Sequence, residues 1–266
     1  MIIKKDDVIN ASNLFPIVWD DFYDYMIKNN FRFGSFNGKV FDFHSGEINY
    51  DIDYKKAICD IEDTSNGFEY EYIPKVFFTS DTHFGAERTL KLSRRPFNSV
   101  EEMDKIMIEN WNSIVGKGDI VYHLGDFGNY DIIKQLNGEI ILIFGNYERK
   151  DIEEQFNYDM EAFIDKLLDI GFYDVYELDD IACYRKTIKN NMIYMAHEPS
   201  KLPKTFTDNK KWNEVHLFGH IHERQMIKRF GLNVGIDCHN FKPIDLDTVL
   251  FYDNALKNFY DEEVFM

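Results

Sequence analysis

Seven residues able to hold a metal ion occur in five short motifs: Asp81-Thr82-His83, Gly125-Asp126, Gly145-Asn146, the single His197, and Gly219-His220-Ile221-His222. Aspartate offers a hard, charged oxygen that can bridge two cations. Asparagine offers a neutral carbonyl oxygen, and imidazole nitrogen suits Mn, Fe, Co, Ni and Zn. The mixture points to a pair of transition-metal ions, since calcium would favour carboxylates and a structural zinc thiolates. Two such ions ~3.5–4 Å apart can hold a hydroxide between them and clamp a phosphoryl group for in-line attack. Taken singly, Asp81 is a strand-ending turn residue and Asn146 a left-handed residue of a Gly-Asn turn. His220 and His222 alone would be one polar face of an extended segment. Together the five motifs describe one cluster.

Each motif follows a brief apolar run: Phe77–Ser80, Ile120–Leu124, Ile140–Phe144, Met192–Ala196 and Val215–Phe218. Such runs, bounded by Gly, Asp or Asn, are the pattern of buried strands. Strands of an open α/β sheet present functional residues at their carboxyl ends. Between them, Ser99–Val115 predicts a helix, with Ser99 and Glu102 as a capping pair and Val100, Met103, Met107, Trp111 and Ile114 on one face. Asp151–Ile170 predicts a second, acidic in its first turn and stopped by Gly171. The alternation from Lys75 onward argues for a layered α/β domain.

Residues 1–74 have a different texture and form an accessory region without evident chemistry. Leu14–Tyr25 predicts a helix, and Phe31–Phe43 alternates about a Gly/Asn turn as a hairpin does. Asp60–Glu71 is an acidic, solvated connection, and His44 a hairpin or surface residue.

Thirty basic against 47 acidic residues give a net charge of −17, which argues against broad nucleic-acid binding. A bound pair of cations would reverse the field locally, so an anionic substrate is compatible with that charge. The cysteines Cys59, Cys183 and Cys238 lack Cys-x-x-Cys spacing and suit reduced thiols. No run approaches the ~18–20 apolar residues of a membrane span, and no signal-peptide pattern opens the chain. A cytoplasmic protein is expected.

In order and rough spacing the five motifs resemble those of the calcineurin-like metallophosphoesterase superfamily. Phe78-Thr79-Ser80-Asp81-Thr82-His83-Phe84-Gly85, Arg95-Pro96-Phe97 and Asn233-Val234-Gly235-Ile236-Asp237 resemble a small bacterial and phage branch of it. The resemblance covers about Lys75 to Leu250. It implies an α/β fold, a two-sheet sandwich flanked by helices, here with a small N-terminal α+β extension and a main domain over 75–266. It implies one metal site of Asp81, His83, Asp126 and His222, and another of Asp126, Asn146, His197 and His220, with Asp126 bridging. Two divalent ions are implied, manganese foremost, with Fe, Zn, Ni or Co as other occupants. The implied reaction is hydrolysis of a phosphomonoester or phosphodiester by a metal-bridging hydroxide, with Asp126, Asn146 and His220 at the reacting centre.

The chain departs from the family at Gly145-Asn146-Tyr147-Glu148, where Gly-Asn is usually followed by His, and at Ala86, where close relatives often carry His. Tyr147 is then the catalytic candidate in the imidazole's place. Its phenol, with an ordinary pKa of about 10, donates a hydrogen bond at neutral pH but is a poor general acid. Good leaving groups are therefore expected to be preferred. Arg88, Arg94 and Arg95 are candidates for phosphate contact. His123 is expected to be a core residue or one behind the ligands, His216 to be a strand residue, and His239 not to be a ligand. The substrate expected is small, phosphorylated or nucleotide-like. The alternatives are a nuclease and a metal-binding interaction protein with attenuated turnover.

Overall fold

The computed structural model describes residues 8–10, 19–29, 31, 33–36, 39–42, 74–178, 183–202 and 214–259. The chain divides into two units, Met1–Pro74 with Ser113–Gly118, and Lys75–Asn112 with Asp119–Met266.

The first unit contains β1 (Val8–Asn10), α1 (Trp19–Lys28), β2 (Phe33–Phe36) and β3 (Lys39–Asp42). β1 pairs parallel with β2, and β2 pairs antiparallel with β3, from Phe33↔Asp42 to Phe36↔Lys39. The hairpin expected over Phe31–Phe43 is thus present. The helix, however, runs to Lys28 and not to Tyr25. Phe22 and Met26, four residues apart and hence on one face, are both buried, and Asn29 Nδ2 caps the Tyr25 carbonyl at 2.8 Å. Residues 14–18, His44, Cys59 and the acidic stretch 60–71 lie outside the described residues.

The second unit is a two-sheet sandwich flanked by helices. Its elements are β4 (Val76–Thr79), α2 (Glu87–Leu92), α3 (Val100–Asn112), β5 (Ile120–His123), β6 (Glu139–Ile143), α4 (Asn146–Phe156) and α5 (Met160–Ile170). There follow β7 (Asp174–Tyr176), β8 (Tyr184–Ile188), β9 (Asn191–Ala196), β10 (Glu214–Phe218), β11 (Ile227–Lys228), β12 (Gly231–Asn233), β13 (Ile244–Asp245) and α6 (Leu246–Phe259). One sheet has the order β13-β4-β5-β6-β7 and the other β11-β12-β10-β9-β8. β4 to β7 are parallel, as are β9, β10 and β12, and the antiparallel strands lie at edges.

Alternation along the strands builds the core. Phe78, Tyr122, Ile141 and Ile143 from one sheet meet Ile193, Met195, Val215, Leu217 and Leu232 from the other. The intervening Phe77, Val121, Ile140 and Leu142 are buried as well, so this parallel sheet is covered on both faces. Burying each such side chain contributes roughly 1.5–3 kcal/mol. Register makes the strand ends level: Thr79 pairs with His123, and Phe218 with both Ala196 and Asn233. A bridge between Ser80 and Gly235 ties the two sheets together at that end. All five runs predicted as strands are strands, and their carboxyl ends converge.

The helix predicted over Asp151–Ile170 is two helices. α4 starts earlier, at Asn146, and ends at Phe156, capped by Asn157, which is left-handed with φ 51°. Tyr158 is left-handed too, and Asp159 recaps α5 by accepting from the Ala162 N–H. Asparagine and aspartate tolerate these roles because their short side chains bond locally to backbone. α3 covers Val100–Asn112, with Met103, Met107 and Trp111 buried as the pattern predicts. Ser99 Oγ caps Glu102 N as expected, but Glu102 reaches back to Asn98, not to Ser99. No helix among the described residues is long and apolar enough to cross a membrane.

Candidate metal centre

The loop after β4 runs along the loop after β5: Asp81 N donates to Gly125 O, His83 N to Asp126 O and Phe84 N to Phe127 O, all at 2.9–3.0 Å. Across the sandwich Ile236 N donates to Ser80 O at 3.0 Å, and within the second sheet Gly219 N donates to His197 O at 2.9 Å. Five of the seven candidate ligands have left-handed backbone: Asp81 (φ 57°), His83 (47°), Asp126 (59°), His220 (70°) and His222 (49°). For residues with a Cβ this conformation costs of order 1–3 kcal/mol each and collects at functional sites.

Two glycines are needed for close approach. A Cβ on Gly145 would strike Asp126 Oδ1, and one on Gly219 would strike Ser80 Oγ and the Asp81 carboxylate. Their absence of a side chain lets the loops after β6 and β10 abut the acidic residues.

All seven candidates converge. Asp81, His83 and His222 present ligand atoms within 4.8 Å of one another, and so do Asp126, His197 and His220. Asp126 Oδ2 lies 3.5 Å from His83 Nε2 and 3.4 Å from His197 Nε2, so one carboxylate faces both groups. Asn146 Oδ1 completes the second group, 3.0 Å from both His197 Nε2 and His220 Nδ1. His220 and His222 do not share a face as an extended segment would place them. Their left-handed turns send one to each group.

The ligands are held from behind. His197 Nδ1 bonds to Leu124 O at 2.8 Å, leaving Nε2 for Asp126 and Asn146. His222 Nδ1 bonds to Asp237 Oδ2 at 2.9 Å, leaving Nε2 facing Asp81 Oδ1 at 3.9 Å. The His220 N–H donates to Asp81 Oδ2 at 2.9 Å. Supports of this kind fix the ring tautomer and orientation that a metal requires.

Among the candidate arginines, Arg95 is the salt-bridged one. It is buried, forks onto Asp237 at 2.8 and 2.9 Å, and donates to the carbonyls of Asp81 and Thr82 at 2.6 and 2.7 Å. It braces the cluster and is not available to substrate. His123 is fully buried, as expected of a core residue behind the ligands, and its Nε2 pairs with Thr82 Oγ1 at 2.9 Å. His239 bonds to Asn233 O and is no ligand, and His216 sits buried on β10.

Glu148 escaped the sequence reading. Fully buried, it accepts from the backbone N–H groups of Asp126, Phe127 and Gly145 at 2.7–2.8 Å, clamping the two loops. Burial and the Asp126 charge push its carboxyl up to about 7 against those three donors. Its place two residues after Asn146 was the available signal. Asp237 ends the Asn233–Asp237 motif, and only the fold brings it to Arg95 and His222.

Burial lowers the His83 pKa to about 4, despite Asp126 and Asp81 nearby, so its imidazole is neutral at pH 7. Burial opposes ionisation of Asp126, but His197, His83 and the Tyr147 N–H outweigh it and bring the carboxyl down to about 2. Burial likewise opposes charge on His197, yet Asp126 wins and raises it to about 9. Neither ring nitrogen of His83 has a hydrogen-bond partner among the described residues, although the residue is 2% exposed. An unsatisfied buried polar group costs ~1–3 kcal/mol. A neutral imidazole aimed at carboxylates and lacking a partner fits a metal, and the Asp/Asn/His donor set fits a transition metal.

Tyr147 lies at the edge of this cluster. Its ring meets that of His83 edge-on at 4.7 Å between centroids, and its backbone N–H donates to Asp126 Oδ1 at 2.9 Å. Its hydroxyl accepts from Arg88 Nη1 at 3.1 Å. Nearby Arg149 pairs with Glu198 at 3.6 Å. Arg94 is exposed. In the segment 198–211 that follows His197, residues 203–211 lie outside the described residues.

Residues 75–238 match the model of the calcineurin-like phosphoesterase superfamily domain. An uncharacterized protein of Methanocaldococcus jannaschii is 28% identical over 186 residues, 66% of this chain and 89% of the relative. The gene 66 protein of Mycobacterium phage L5 is 35% identical over 81 residues, 27% of this chain and 39% of that protein. A solved structure of a protein of unknown function from Aquifex aeolicus has 23% identity and a TM-score of 0.48, covering 66% of this chain and 98% of its own.

Proposed function

This chain belongs to the calcineurin-like phosphoesterase superfamily, a family of metal-dependent phosphoesterases, and from that premise we propose a phosphohydrolase with two metal sites sharing Asp126. Asp81, His83, Asp126 and His222 would hold one divalent ion, and Asp126, Asn146, His197 and His220 the other. The observation that carries this reading is the position of Asp126 Oδ2, within 3.5 Å of His83 Nε2 and within 3.4 Å of His197 Nε2. Divalent ions bound there supply Lewis-acid activation of water and of a phosphoryl oxygen.

The chain's own residues set the geometry for that chemistry. His83, kept neutral by burial, offers a lone pair at neutral pH. The Leu124 carbonyl aims His197 and Asp237 aims His222. Tyr147 would donate a hydrogen bond to the substrate at the place where relatives carry histidine. The substrate proposed is small, phosphorylated or nucleotide-like. The net charge of −17 weighs against a nucleic acid.

The test is hydrolysis of bis-p-nitrophenyl phosphate and p-nitrophenyl phosphate with Mn²⁺, using Asp126→Asn as control. Turnover that needs the metal and disappears in the variant supports the proposal, and the preferred ester separates diesterase from monoesterase. Absence of turnover in protein shown to bind metal would overturn it in favour of a binding protein.

A further inference from the structure

Arg88 is the arginine that contacts Tyr147 beside the metal cluster. Its guanidinium is exposed, and among the described residues its partner is the Tyr147 hydroxyl, with no carboxylate within ion-pair reach. Arg149, by contrast, is matched by Glu198, and Arg95 by Asp237. Tyr147 in turn sits edge-on to His83, so the pair stands on the rim of the metal cluster. The phenol oxygen accepts from Arg88, and its own proton has no acceptor among the described residues. Four further guanidinium N–H groups are available to an anion.

We propose that Arg88, anchored by Tyr147, recognises a second phosphate on the substrate, making a phosphoric anhydride such as a nucleoside diphosphate the substrate class of this site. The assignment rests on the phosphohydrolase reading and deepens it. An alkoxide leaving group must be protonated as it departs, and a phenol is badly matched to that task near pH 7. A phosphate leaving group has a second pKa of about 6 and departs without a proton. What it requires is a cation, and arginine is charged at any working pH.

The reaction balances simply. Water oxygen forms a bond to the terminal phosphorus, and the bond from that phosphorus to the bridging oxygen breaks. The electron pair stays on the bridging oxygen of the departing nucleoside monophosphate, opposite Arg88. The water protons go to inorganic phosphate and solvent. A fork of parallel N–H donors suits that phosphate better than a lysine would.

Calorimetry on the metal-loaded protein with α,β-methylene-ADP and with inorganic phosphate decides the assignment independently of turnover. Arg88→Met should weaken the diphosphate analogue ten- to a hundredfold and inorganic phosphate by far less. Tyr147→Phe should weaken it less, with the double variant falling short of the product of the two. A loss under threefold for Arg88→Met, or equal losses for both ligands, overturns the proposal. In kinetics, Arg88→Met should lower the ratio of kcat/KM for ADP to that for bis-p-nitrophenyl phosphate at least tenfold, and an unchanged ratio also overturns it. Failure to hydrolyse either ester in the wild type would count against the phosphohydrolase reading, while the calorimetric comparison still decides the role of Arg88.

Discussion

Arg95 and Asp237 are 142 residues apart in sequence and form a two-pronged ion pair, Nε to Oδ1 at 2.8 Å and Nη2 to Oδ2 at 2.9 Å. Asp237 uses Oδ2 a second time, on His222 Nδ1. The arginine also holds the carbonyls of Asp81 and Thr82, so one buried cation fixes a carboxylate ligand and an imidazole ligand of the same group. Removing one partner of a buried pair costs about 3–5 kcal/mol. Arg95→Met should therefore destabilise the protein by that order in chemical denaturation. Arg95→Lys should fail to restore it, because an ammonium cannot reproduce the fork. Metal affinity, read by competition with a chelating dye, should fall about 10–100-fold through loss of His222 orientation.

Glu148→Gln tests the clamp between the Asp126 and Gly145 loops. Glu148 Oε2 accepts from Asp126 N and Gly145 N, and Oε1 from Phe127 N. An amide has only one oxygen, so at least one buried N–H loses its acceptor. The expected loss is about 1–3 kcal/mol in thermal or denaturant unfolding. A variant as stable as wild type would show that the clamp is dispensable.

Gly219→Ala should act on one metal group more than on the other. The new methyl would meet Ser80 Oγ and Asp81 Oδ2, while Asp126, His197 and Asn146 are not among its nearest contacts. Overpacking costs typically 1–3 kcal/mol. Calorimetric titration with Mn²⁺ should show one site weakened at least tenfold and the other changed little.

Tyr147→His would place an imidazole beside His83 and withdraw the hydroxyl that Arg88 now uses. General acid catalysis contributes typically 10²–10⁴-fold. Hydrolysis of alkyl phosphates should rise by at least ~10-fold, read as kcat/KM against an aryl phosphate in the same preparation. No gain on alkyl esters would mean that the phenol does not limit them.

His216 predicts acid sensitivity away from the cluster. It is 1% exposed, and burial lowers its pKa to about 4 from the ordinary 6.5. In this window the unfolded chain binds the proton and the folded chain does not, so stability is full above 6.5 and is lost as pH falls toward 4. Between pH 7 and 5 the loss amounts to about 2 kcal/mol. Denaturation of His216→Gln at both pH values should show a smaller drop than wild type by about that amount.

Much of the site was legible because strand ends are written locally. Apolar runs closed by Asp81, Asp126, Asn146, His197 and His220 converge once the two parallel-stranded sheets pack with level ends, and register and the Ser80–Gly235 bridge deliver that. What could not be read depends on distant pairs or on backbone sign. Arg88, Arg94 and Arg95 are alike in sequence, and nothing local reveals that Arg95 is the one paired with Asp237. The Asp151–Ile170 segment kept its apolar period across a break that only the left-handed turn at Asn157 and Tyr158 discloses. His220 and His222 likewise looked collinear until their positive φ angles turned them apart.

Those positive angles carry a consequence for how the protein could be altered. Asp81, His83, Asp126, His220 and His222 each occupy a conformation that glycine adopts without strain. Glycine at any of them would relieve the backbone and remove a ligand in the same step. Hardening this protein and keeping its chemistry are therefore opposed aims at these residues. Efforts to make it more robust belong in the helices and strands, away from the strand ends.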